Sequence, residues 1–176
     1  MKISKCEGVY EPEDDSYLML SIPEVRGKIL DVGCGTGIVG IHYLEKGNEV
    51  TFIDIDPKAV ECTKKNLEFN KLSGDVIVSD LLSSIKGEFD FCLFNPPYLP
   101  SDEFNHRDLS GGIIGNETTI KFLNQARDKC KVSYIIESSI APIDWKKTKG
   151  LCHEVVGKIT YHLEEIRLVR VWKCQQ

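Results

Sequence analysis

The chain has 176 residues, 41% of them hydrophobic and 28% charged, with a formal net charge of −5 at neutral pH. That length fits one domain able to bury its own core, and no stretch of about eighteen apolar residues offers a membrane span. The acidic balance removes the basic footprint that nucleic-acid binders carry. The first residues lack a signal-peptide core. Seven cysteines stand singly, in an odd number and with no C-x-x-C pair. This argues against a disulfide framework or a metal site, and for unpaired thiols in a reducing, cytoplasmic compartment.

In chain order, Tyr10-Glu11-Pro12-Glu13-Asp14-Asp15-Ser16 leads into a short helix starting at Tyr17, with Asp15 or Ser16 as its N-cap. Lys28-Ile29-Leu30-Asp31-Val32 reads as the first central strand. It runs into Gly33-Cys34-Gly35-Thr36-Gly37 and then a helix from Ile38 to Leu44 that stops by Gly47. Glycine at every second position allows a tight strand-to-helix turn and lets a ligand approach the backbone. The spacing is G-x-G-x-G, not the G-x-G-x-x-G of dinucleotide binders. Cys34 is read as spacing in that turn, not chemistry.

Glu49 to Asp54 forms the second strand, ending in an acid that can accept both hydroxyls of a ribose. Asp56-Pro57 caps a helix reaching about Asn70. Asp75-Val76-Ile77-Val78 is a short third strand, expected at a sheet edge, followed by Asp80 and Leu81. Two strand-end acids and a glycine turn together make an adenosine pocket.

Phe89 to Phe94 is a buried strand stopped by Asn95-Pro96-Pro97-Tyr98, because a Pro-Pro pair cannot continue a central ladder. Asn95 is therefore left at the C-terminal end of the strand, the edge where open α/β sheets bind ligands. Its side-chain oxygen and the Pro96 carbonyl are adjacent acceptors that can grip both hydrogens of a planar –NH2 group. Tyr98 offers a flat face for stacking. Residues 99–116, with Gly111, Gly112 and Gly115, read as a lid loop. Beyond it come a helix from Glu117 to Lys131, a strand from Ser133 to Glu137 and a short helix from Ala141 to Lys149. Two alternating runs, Cys152 to Tyr161 and Glu165 to Lys173, form an antiparallel hairpin.

The alternation of strand and helix, closed by a hairpin, gives a doubly wound, mostly parallel α/β fold over residues 1–176, with 1–27 as an N-terminal segment. At this level the chain resembles the class I S-adenosylmethionine-dependent methyltransferases, whose Rossmann-like sheet has seven strands. More narrowly it resembles the glutamine-N5 methyltransferases of translation release factors, in their short archaeal and eukaryotic, HemK2-type branch. Tyr10-Glu11-Pro12 with Asp14-Asp15-Ser16, Asp31 to Gly37, Asp54-Ile55-Asp56-Pro57, Asn95-Pro96-Pro97-Tyr98, and Gly111-Gly112 with Gly115 and Glu117 carry the likeness. The resemblance implies S-adenosyl-L-methionine as cofactor. With residues 1–27 lying over it, Ser16 and the segment from Asp31 through Gly33 and Gly35 to Gly37 would surround its methionine part, Asp54 its ribose, and Asp80 and Leu81 its adenine, with Asn95 also bordering the cofactor. Asn95 and Pro96 would position the acceptor nitrogen beside Tyr98. The implied substrate is the Gln of a Gly-Gly-Gln loop. The implied partner is a small zinc-binding Trm112-like protein, for which the third strand offers an unpaired edge.

Two other readings stand beside this one. The same grip fits an exocyclic amine of a nucleic acid such as adenine N6, a reading the missing basic patch opposes. A non-catalytic cofactor-binding scaffold would have no use for the Asn95 grip.

Overall fold

The computed structural model describes residues 1–97 and 114–175. Tyr98 and residues 99–113 of the expected lid lie outside the described residues; residues 114–116 begin a helix. In chain order come α1 (Asp14–Leu20), β1 (Lys28–Val32), α2 (Ile38–Glu45), β2 (Glu49–Asp54), α3 (Pro57–Phe69), β3 (Asp75–Val78), β4 (Phe89–Phe94), α4 (Ile114–Ala126), β5 (Cys130–Ser138), β6 (Leu151–Thr160) and β7 (Glu165–Lys173). Among the described residues no helix is long and apolar enough to cross a membrane.

The seven strands form one sheet in the order β3-β2-β1-β4-β5-β7-β6. β1 to β5 run parallel; β7 pairs antiparallel with β5, and β6 antiparallel with β7. The chain winds outward from β1 through β2 to β3, then returns to build β4 and β5 on the other side of β1. The reversal lies between β1 and β4, the crevice where open α/β sheets bind ligands. Val32 pairs with Phe94 there, so the chain leaves β1 at Gly33 and β4 at Asn95 side by side.

Apolar residues on both faces explain the near-continuous hydrophobic runs of the central strands. Ile29, Phe52, Leu93 and Ile136 pack with α1 and α2 through Met19, Ile38 and Ile41. Their neighbours Leu30, Ile53, Phe94 and Ile135 pack on the opposite face with Phe122 and Leu123 of α4. Strand alternation thus divides one sheet between two cores.

Several expectations need correction. Six of the seven cysteines are paired, as Cys6–Cys62, Cys92–Cys130 and Cys152–Cys174. Only Cys34 is free, and it is buried. The partners lie 56, 38 and 22 residues apart and meet through tertiary folding, which residue spacing does not encode. The inference from unpaired thiols to a reducing compartment loses its premise. α1 begins at Asp14 with Glu13 as N-cap, so Asp15 and Ser16 lie inside the helix and are buried. The two acids of its first turn favour this start, since carboxylates stabilise the positive end of a helix. α4 starts three residues before Glu117 and ends at Ala126, and β5 takes up Cys130 and Lys131. The expected helix from Ala141 to Lys149 reduces to a 3-10 turn, Trp145–Lys147. Pro142 keeps Ala141 out of helical geometry, and Ala141 instead bridges to Ser138.

Candidate active site

A cleft opens at the crevice between β1 and β4. It holds about 410 Å³ of empty space, part of it open to solvent, and Tyr10, Pro12, Ser16, Asp31, Gly33, Thr36 and Asn95 contribute to its walls. The glycine turn forms one wall. Gly33, Gly35 and Gly37 have φ values of 64°, 54° and 83°, a left-handed path that side chains resist. The turn is tied down at three points. Cys34 N–H donates to Ile53 O at 3.0 Å, Gly37 N–H to Cys34 O at 2.7 Å, and the Thr63 hydroxyl to Gly35 O at 3.0 Å.

Two carboxylates brace this wall. Asp31, 4% exposed, accepts from Gly40 N–H at 2.8 Å. Burial pushes its carboxyl up to about 7 against the pull of that amide, and the Asp54 carboxylate adds to the rise. Gly40 is a closely confined position. A Cβ there would lie 2.2 Å from the Phe52 ring and 2.8 Å from Asp31 Oδ2. Asp54 accepts from Gly35 N–H at 3.0 Å and from Asp56 N–H at 2.9 Å, joining the turn to the cap of α3. The Cys34 thiol is pushed upward, first by burial and then by Asp31. That direction favours the protonated thiol.

The opposite wall comes from the N-terminal segment and α1. The Ser16 hydroxyl donates to Asp15 at 3.2 Å, and the Tyr10 hydroxyl reaches the same carboxylate at 3.2 Å. Asp80 and Leu81 follow the C-terminal end of β3, outside the cleft lining. Asp80 is exposed and pairs with Lys121 of α4 at 2.9 Å. Leu81 is buried with φ 50°, a left-handed conformation rare for a branched side chain. Beside Asp54, Ile55 is 66% exposed, a large apolar side chain left open at the strand-end edge.

Asn95 Oδ1 is buried and has no hydrogen-bond partner among the described residues. Buried acceptors are normally paired, and leaving one unmade costs about 1–3 kcal/mol. Pro96 beside it is buried. The fold thus leaves a buried amide oxygen unsatisfied among the described residues, on a residue that lines the crevice.

The structure brings Ser16, Asp31, Gly33 and Asn95 together around one cleft. Gly35, Gly37 and Asp54 support it from behind, while Asp80 and Leu81 stand further along the same sheet edge. Thr36, within the Asp31-to-Gly37 segment expected around the cofactor, also lines the cleft; sequence reasoning did not single out Tyr10 and Pro12 as lining residues, nor Ile55 as an exposed neighbour. For Tyr10 and Pro12 the signal was present in the Tyr-Glu-Pro run. For Ile55 it was an apolar residue directly after a strand-end acid.

Comparison with known proteins agrees with this geometry. Residues 12–114 match the family described as the methyltransferase small domain. A putative protein N5-glutamine methyltransferase of Methanocaldococcus jannaschii is 33% identical over 98% of this chain and 96% of its own length. Among solved structures, the Mtq2-Trm112 complex of E. cuniculi, which methylates the eRF1 translation termination factor, matches with a TM-score of 0.71 and 23% identity, over 94% of this chain and 99% of that one. The T. thermophilus 16S rRNA N2 G1207 methyltransferase, solved with AdoMet and guanosine, matches with a TM-score of 0.74 and 20% identity, over 96% of this chain and 45% of that one. The glycine turn, the crevice between β1 and β4 and the match over most of its length lead to one conclusion: the chain belongs to the methyltransferase small domain family.

Proposed function

We propose that this methyltransferase uses S-adenosyl-L-methionine to methylate a glutamine side-chain amide in a translation release factor, at the Gln of a Gly-Gly-Gln loop. The observation that carries the reading is Asn95 Oδ1, buried beside the crevice with no hydrogen-bond partner among the described residues. It is an acceptor held ready for a donor. The relative from Methanocaldococcus jannaschii, similar over nearly the whole chain, supports glutamine as the target.

The residues present fit the cofactor. The glycine backbone offers close approach: apart from the adjoining residues of the chain, no atom of the described residues lies within 4 Å of a Cβ built at Gly35. Asp31 and Ser16 would hold the amino-acid end, where a carboxylate meets an ammonium group. Asp54 would take the ribose hydroxyls, and Ile55 and Leu81 would cover the adenine beside Asp80. When bound, the cofactor supplies an electron-poor methyl group. The chain's own contribution is placement. An amide nitrogen shares its lone pair with its carbonyl and is a poor nucleophile. By accepting its two hydrogens, Asn95 Oδ1 and the Pro96 carbonyl fix that nitrogen and favour pyramidal geometry, with Tyr98 as the stacking face. Positioning and fixed dipoles of this kind supply most of the rate in such sites.

A small Trm112-like partner belongs to the same reading. Among the described residues β3 pairs only with β2, and Ile77 and Val78 beside that open edge are exposed, which suits strand addition. A release-factor substrate places the protein in the cytoplasm. Several disulfides in an intracellular chain are a feature of hyperthermophiles.

The nucleic-acid reading gains from one observation, the fold likeness to an enzyme solved with AdoMet and guanosine, a nucleoside bearing an exocyclic amine. The net charge of −5 opposes it. The deciding experiment offers labelled cofactor to recombinant release factor, to its Gln→Ala variant and to 16S rRNA. Label on the release factor that vanishes with the Gln supports the proposal. Label that persists in the variant, or appears only on RNA, overturns it.

A further inference from the structure

The N-terminal segment lies along α3 in register with it. Cys62, Asn66 and Asn70 stand four residues apart on one face of the helix. They hold Cys6, Ser4 and Lys2, which stand two apart. Cys6 is bridged to Cys62. Ser4 N–H donates to Asn66 Oδ1 at 2.8 Å, and Asn66 Nδ2 donates back to Ser4 O at 3.1 Å. Lys2 N–H donates to Asn70 Oδ1 at 2.7 Å, and Asn70 Nδ2 to Lys2 O at 2.6 Å. Four helical residues advance about 6 Å, and two extended residues about 6.6 Å. The two steps match, so the side chains of α3 serve as the neighbouring strand of a ladder for a segment running antiparallel to it.

Asn66 differs from the other two rungs. It is fully buried, at 0% exposure, and it also donates to Thr36 O in the glycine turn at 2.9 Å. Its oxygen and one hydrogen hold the N-terminal segment, and its other hydrogen holds the turn. Those are the two walls of the cleft: the segment continues to Tyr10 and Pro12, and the turn supplies Gly33, Cys34 and Thr36. We propose that Asn66 is a positioning residue for the cofactor, setting the separation of the N-terminal segment and the glycine turn from behind without lining the cleft.

The inference rests on the cofactor reading, and the test separates the two. S-adenosylhomocysteine binding is measured by calorimetry for the whole chain, with melting followed by circular dichroism. Asn66→Ala is expected to weaken binding about tenfold, which is about 1.4 kcal/mol. Asn70→Ala, which breaks a rung but leaves the turn untouched, should change binding less than twofold. Ser4→Pro removes the donor to Asn66 from an exposed position and serves where Asn66→Ala does not fold; severalfold weaker binding is expected. Trypsin should cut at Lys5 faster in both weakened variants, and the ligand should protect that site only in the wild type. A merely structural Asn66 would lower the melting temperature and leave the affinity of the folded fraction alone. If the wild type binds and the folded Asn66→Ala and Ser4→Pro variants bind within twofold of it, this inference is overturned alone. If the wild type does not bind, the cofactor reading falls and takes this inference with it.

Discussion

The two halves of the cleft are finished to different degrees. On the cofactor side, the protein satisfies its own polar groups. Asp31 holds Gly40, Asp54 holds Gly35 and Asp56, Thr63 holds Gly35, and Asn66 joins the turn to the N-terminal segment. On the acceptor side, Asn95 Oδ1 is buried with no hydrogen-bond partner among the described residues. The first half is built before any ligand arrives. The second is left one donor short among the described residues, which in the proposed reading an incoming nitrogen would complete. On that reading binding strength would belong to the prebuilt half and reactivity to the incomplete one.

The sharpest way to break that division is Asn95→Ala. Losing the acceptor should cut turnover by about 10²- to 10³-fold, the scale seen when a single preorganised polar contact is removed. Cofactor affinity should stay within threefold, since the cofactor half keeps its own hydrogen bonds. Steady-state rates and calorimetry on the same preparation decide the matter. Equal losses in both would mean the two halves are one unit.

Asp54→Ala tests the other half. It strips the acceptor from the Gly35 and Asp56 amides and removes the proposed ribose contact. Cofactor affinity should fall at least tenfold. Stability should drop by about 1 kcal/mol, the net worth of a typical hydrogen bond, because the two amides are only partly buried. Denaturant melts of the unliganded protein separate the two effects. A variant that binds normally would show that Asp54 only braces the turn.

Much of this was legible because the informative signals are local. Gly33 to Gly37 is five consecutive residues, and Asn95-Pro96-Pro97 is three, so backbone chemistry alone places them at strand ends. The strands followed from apolar runs, and the edge position of β3 from its brevity. What stayed hidden depends on contacts between distant residues. The Cys6–Cys62 bridge and the Asn66 link span 56 and 62 positions. Nothing in the helical pattern of α3 marks the face bearing Cys62, Asn66 and Asn70 as a seat for another segment. Gly40 reads as an ordinary small helix residue until Phe52 and Asp31 are seen to fill the space where its Cβ would be.

Asp31 offers a finer probe, through pH. Burial raises its carboxyl from 3.8 to about 7. Between those values the folded chain holds a proton that the unfolded chain has released. Stability attributable to this group therefore falls as pH rises from about 4 to about 7, and is flat above. Asp31→Asn should raise the melting temperature of the unliganded protein at pH 8, with the gain shrinking toward pH 4. The same change should weaken cofactor binding severalfold at pH 8, because only the ionised carboxylate attracts an ammonium group. Wild-type affinity should decline below pH 7, and the variant should not follow it. A variant that is less stable at pH 8 would show that the hydrogen bond to Gly40 outweighs the burial of charge.

The smallest expected effect lies outside both halves. Val78→Lys places a charge beside the open edge of β3, where Val78 is 49% exposed. An exposed substitution of this kind moves stability by about 0.5 kcal/mol or less, and cofactor affinity should stay within twofold. What should change is pairing. A lysine at an edge discourages strand addition, so a Trm112-like protein that co-purifies with the wild type should be lost from the variant. That outcome would place the partner at β3, away from the cleft. Retention of the partner would move its seat elsewhere, and a fall in cofactor affinity would show that this edge is coupled to the half of the cleft that here looks self-sufficient.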